Sequence, residues 1–157
     1  MTVKESPSRI WLLVALLGLS GLTVTTYLTS NAITPSEIAC SLDGCNTVLA
    51  SRWSRIFGIP VSAFGMATYA VIMLGSLQAA QSPVGDLRGR LLSVGATLLG
   101  VLASIYLTII EIIVIQAICF YCVGSAALVV IAAVLVMITT RREQNLWVRI
   151  RPSSNTD

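Results

Sequence analysis

Four cysteines carry the reactive side chains of this 157-residue chain, and they come as two close pairs. Cys119 and Cys122 bound the tetrapeptide CFYC. At i, i+3 both sulfurs fall on one face of a helix's first turn, near enough for a disulfide, and a helix N-terminus favours a thiolate. Such a pair exchanges readily, because a lowered thiol pKa supplies both nucleophile and leaving group. Cys40 and Cys45 bound CSLDGC, where Asp43-Gly44 is a turn signal that lets the two sulfurs meet or lets either swing toward another partner. Each pair could instead be a structural staple, and four thiolates could hold zinc. The chain has no histidine, which removes Ser-His-Asp triads, imidazole-bound haem and His-ligated zinc. CFYC lies in apolar sequence, so no metal site is expected, and redox exchange is favoured over a staple that an apolar membrane bundle would not need.

These cysteines must be held by elements that lie in lipid. Hydrophobic residues make up 55% of the chain and charged ones 11%, against roughly 25% in soluble domains, and mean hydropathy is +0.86. So few charges cannot coat a water-facing surface. The fold class expected is all-α: a single domain over 1–140, an integral membrane bundle of four spans at about 10–29, 60–80, 91–115 and 119–140. Each is long enough for a hydrocarbon core of about 30 Å. The first span is too long for a signal peptide's apolar region, the stretch 91–140 suits two crossings with a tight break near Gln116 to Cys119, and Pro60 suits a helix start. Residues 141–157 read as a basic cytoplasmic tail, surface-associated and losing order.

Charge orients the bundle. Lys4, Arg9, Arg88, Arg90, Arg141, Arg142, Arg149 and Arg151, eight of the ten basic residues, fall in the two termini and the second loop. The positive-inside rule then puts both termini in the cytoplasm of a plasma (inner) membrane and the first and third loops outside. Two crossings separate the cysteine pairs, so both share the outer face, where disulfides persist. The net charge of +3 reflects this topology rather than nucleic-acid affinity. Arg52, Trp53, Arg55, Ile56 and Phe57 suit a short interfacial helix in the outward first loop. Glu111 lies inside the third span, about two turns before Cys119. It should face the bundle, either hydrogen-bonded for structure or relaying protons. Ser93, Gly95, Gly100, Ala103, Ser104, Gly124, Ser125 and Ala126 are expected to let helices pack closely.

The order of these features resembles the vitamin K epoxide reductase family: two cysteines in the first outer loop, SRWSRIFGIP (Ser51 to Pro60), SAFG (Ser62 to Gly65), then CxxC opening the last span. The resemblance covers about residues 10 to 140. It implies four helices around a quinone (ubiquinone, menaquinone, phylloquinone or similar), with Cys122 the sulfur at the quinone and Cys119 its partner. It further implies that Cys45 exchanges with Cys119, that Cys40 meets a separate thioredoxin-fold protein with a CxxC dithiol, and that Ser51 hydrogen-bonds near the quinone. The quinone contacts it implies are Trp53, Phe57, Phe64, Tyr69, Ile115 and Cys122. Val61 and Ala126 stand where the vertebrate enzymes resemble one another in having Asn and Tyr, polar groups associated with vitamin K recognition.

The function expected is therefore that of an enzyme, a quinone-dependent thiol-disulfide oxidoreductase. Electrons from an extracytoplasmic dithiol partner would pass through Cys40/Cys45 to Cys119/Cys122 and on to the quinone, driving disulfide formation. The alternatives are a dithiol-dependent vitamin K quinone or epoxide reductase and, outside enzymes, a small membrane scaffold with structural disulfides.

Overall fold

A computed structural model describes residues 7–34, 44–81 and 87–150. The described residues include five α-helices: α1 (Pro7–Ile33), α2 (Gly44–Ala50), α3 (Val61–Gln81), α4 (Leu87–Ile110) and α5 (Phe120–Ile150). Four of these paths are long and apolar enough to cross a membrane: Ser8–Ile33, Val61–Gln81, Leu87–Ile115 and Phe120–Arg142. The first loop, its α2 and the pieces that follow sit where α1 ends and α3 begins.

The long helices form a ring in which α1 and α4 each touch both α3 and α5. Trp11 and Val14 of α1, Ile72 of α3, Ala96 of α4 and Val129, Ala132 and Val136 of α5 fill its centre. Outward the same helices present Leu12, Leu16, Leu99, Leu102, Ile113 and Ile131, as a lipid-facing surface requires. Polar side chains inside the spans are neutralised locally. The hydroxyls of Thr25, Thr29, Ser76 and Thr97 donate to carbonyls four residues back at 2.6–2.8 Å. Between α3 and α4 the backbones nearly touch, because a Cβ on Gly89 would come within 2.8 Å of the Gly75 carbonyl. Of the small residues expected at interfaces, Ser93 is buried at this contact and Gly100 faces Val129, whereas Gly95 and Gly124 face open space.

Two expectations are corrected. The helix of the first loop is α2, not the Arg52–Phe57 segment. Arg52–Ser54 makes one 3-10 turn, and β1 (Arg55–Ile56) pairs antiparallel with β2 (Ile59–Pro60), Ile56 opposite Ile59. The intervening Phe57 and Gly58 both have positive φ, 52° and 82°, the signature of a two-residue type I′ turn, which no helix accommodates. The tail does not lose its order at residue 141 either. α5 continues to Ile150, since RREQNLWVRI contains neither Gly nor Pro to stop it.

Candidate functional site

The ends of all four spans nearest the first loop converge on a cavity and the cysteine cluster beside it. α4 finishes in a π-helical turn, Glu111–Ile115, closed by Gln116 in the left-handed conformation (φ 55°). The Gln116 and Ala117 N–H groups both donate to the Glu111 carbonyl, the latter at 3.3 Å. The chain then runs without helix through Gln116 to Cys119 and enters α5. The Cys119 carbonyl accepts the Val123 N–H at 3.0 Å, so Cys119 caps this helix and its partner Cys122 lies in the first turn.

The first loop presses onto this turn from above. A Cβ on Gly44 would collide with the Ile118 carbonyl, so only glycine lets α2 begin this close. The approach places Cys45 and Cys119, both fully buried, in one small cluster with Val48, and Ile115, Ala117, Tyr121 and Cys122 pack against it. Cys45 is held in a disulfide, whereas Cys119 and Cys122 are free thiols. Cys40 lies outside the described residues. In the turn between the spans, a hydrogen bond with the Cys122 thiol outweighs burial and lowers the Cys119 pKa to about 7.

Beneath the loop lies a cavity of about 180 Å³ with a largely apolar lining. Ser51 and Trp53 of the loop, Phe64 and Tyr69 of α3, Ile115 and Cys122 all line it. Phe57 is not among the lining residues: it sits fully exposed at the hairpin tip, where the type I′ turn points it away from the bundle. Cys45 and Cys119 are not on the lining either, so of the free sulfurs Cys122 meets the cavity and Cys119 stands behind it, next to Cys45.

The polar groups around the cavity are already engaged with the protein. The Ser51 hydroxyl donates to the Val48 carbonyl at 2.7 Å, which closes the end of α2 and leaves its lone pairs for a ligand. The Tyr69 hydroxyl donates to the Ser125 carbonyl at 2.5 Å and lies 3.0 Å from the Ser125 hydroxyl, tying α3 to α5. Glu111, 4% exposed, also faces the cavity. Its Oε2 accepts the Cys119 N–H at 3.5 Å. Residues not foreseen as lining include Ser104 and Thr108, which with Gly100 and Glu111 form one stripe along α4. Their three- and four-residue spacing was a visible signal, but small residues at that spacing also read as packing.

A sequence model of the vitamin K epoxide reductase family matches residues 12–137. The chain belongs to that family. The match runs from the first span to the last and includes both cysteine pairs, the loop between them and Glu111. As a member of the vitamin K epoxide reductase family, the protein is an integral membrane oxidoreductase built as a helical bundle. Val61 and Ala126 both line the cavity.

Proposed function

We propose that this chain is a membrane thiol:quinone oxidoreductase that drives disulfide formation outside the cytoplasm. The observation that carries this reading is the division of labour within CFYC: Cys122 faces the cavity and Cys119 packs against Cys45. A disulfide exchange chain needs that order, one sulfur turned to the incoming electrons and its partner turned to the acceptor. In the proposed route a thiolate of a thioredoxin-fold dithiol on the extracytoplasmic side attacks Cys40 of the loop pair. Cys45 passes the electrons to Cys119, and Cys122 hands them on.

The cavity suits a quinone such as ubiquinone, menaquinone or phylloquinone. Its lining offers a flat aromatic and aliphatic surface for a ring, from Trp53, Phe64 and Ile115, with hydroxyl and carboxyl groups at its edge. A quinone supplies the two-electron, two-proton acceptor. The chain's own residues orient the ring, exclude water and keep Cys122 beside it. The positive-inside rule supports a cytoplasmic side for both termini, since Arg9, Arg88, Arg90, Arg141 and Arg142 flank the end of the bundle opposite the first loop.

The test is reconstitution of the full chain in lipid with a short-chain ubiquinone and a reduced thioredoxin-fold protein, following both by absorbance and by thiol titration. One quinone reduced for each protein disulfide formed is expected. No quinone reduction and no protein oxidation would leave a scaffold with structural disulfides.

A further inference from the structure

We propose that Glu111 is the proton acceptor for Cys122 each time the Cys119/Cys122 pair closes to a disulfide, and that it passes this proton to the electron acceptor in the cavity. The second half of the statement rests on the quinone reading above; the first does not.

Two observations place the carboxyl group at the reacting sulfur. It accepts the Cys119 N–H at 3.5 Å, and it lines the same cavity as Cys122. The titratable groups beside it are the Cys119 and Cys122 thiols. An acidic residue kept inside a span is costly and needs partners. Here the Cys119 N–H, at the start of the 31-residue α5, meets the carboxyl group. The π-helical turn contributes by moving the backbone of Glu111 out of the regular α4 ladder, a distortion frequent at functional sites.

Cys122 loses its proton to Glu111 as its sulfur bonds to the Cys119 sulfur, and the electron pair leaves to the acceptor. Two S–H bonds are lost and one S–S bond forms. Glu111 returns the Cys122 proton to one acceptor oxygen. The proton released when Cys119 ionises goes to solvent, and solvent supplies the proton that the second acceptor oxygen takes up.

The test uses the reduced full chain in lipid and diamide, a small oxidant that is no quinone, with the Cys119–Cys122 disulfide followed by acid quench and mass spectrometry. Glu111→Gln keeps the shape and should slow closure about 100-fold, the low end of the range for losing a general base. Glu111→Ala should be equally slow but recover at least about tenfold in formate, which can occupy the space and take a proton. For the wild type, closure should be about twofold slower in D2O, a measurement that needs no variant to fold. Unchanged closure in Glu111→Gln would overturn the proposal, as would a slow Glu111→Ala that formate does not rescue or an absent isotope effect. Quinone turnover is measured alongside. A wild type that closes the pair through Glu111 yet reduces no quinone would sink the quinone reading and the onward delivery, but not the proton acceptor.

Discussion

The two sulfurs of CFYC differ in what surrounds them, and this has measurable consequences. Cys119 has its pKa lowered to about 7 by its hydrogen bond with Cys122. Its exchange with the loop disulfide should therefore rise through a midpoint near pH 7, followed by trapping the Cys45–Cys119 mixed disulfide with acid. In Cys122→Ala the hydrogen bond is gone, and the midpoint should move up toward the ordinary thiol value of about 8.5. A midpoint that stays put would mean that the helix N-terminus, not Cys122, tunes Cys119. The same variant should reduce quinone at least about 10³-fold more slowly, the scale on which loss of a nucleophile is felt. Selectivity can be tested at Val61 and Ala126. Both face the cavity, and neither side chain can donate a hydrogen bond to an epoxide oxygen as it gathers charge. With one dithiol donor, ubiquinone or menaquinone should turn over at least about 100-fold faster than vitamin K epoxide. Equal rates would show that other groups replace the missing donors.

At the scale of elements, the contact that matters is α2 against the break between α4 and α5. Gly44→Ala puts a methyl group into the Ile118 carbonyl, so α2 must lift and carry Cys45 away from Cys119. With Cys40→Ser and Cys122→Ser leaving one sulfur on each side, the yield of Cys45–Cys119 disulfide should fall about tenfold or more, since small displacements of reacting atoms are costly. An undiminished yield would place the loop's freedom elsewhere. How far the elements were legible follows from the same parts. The spans announce themselves through uncharged runs such as Ile10 to Leu28, because lipid leaves the backbone only the helix. CFYC at a helix start follows from its spacing and its place after the break. The hairpin at Phe57-Gly58 was hidden, because Phe is not among the residues that signal a type I′ turn. The π-helical turn was hidden as well, since it depends on Gln116 adopting the left-handed conformation, which only the docked loop and α5 require. Cys45 and Cys119 are 74 positions apart, so the packing that joins them comes from tertiary contact and has no local signature.

The whole molecule is polar in the sense of having two unlike ends. One holds α2, the hairpin and the cysteines; the other holds Arg9, Arg88, Arg90, Arg141 and Arg142. In a variant whose native cysteines are replaced by serine, an impermeant maleimide on intact cells should label Ile59→Cys and spare Gln81→Cys until the membrane is opened. Early labelling of Gln81→Cys would invert the orientation and put the redox end inside. The length of α5 has a consequence of another kind. Its 31 residues extend about 46 Å, whereas the apolar part, Phe120–Arg142, uses 23 of them, about 34 Å. The remaining eight residues make a stiff stand-off of about 12 Å, more than one Debye length at physiological salt. A spin label at Ile150 should accordingly relax with a water-soluble nickel chelate and barely with oxygen dissolved in the bilayer. Relaxation dominated by oxygen would mean that the helix bends beyond Arg142 and lies along the headgroups. A straight stand-off would make that end a rigid mount, on which a fluorophore or affinity module can be carried clear of the membrane without loading the redox end.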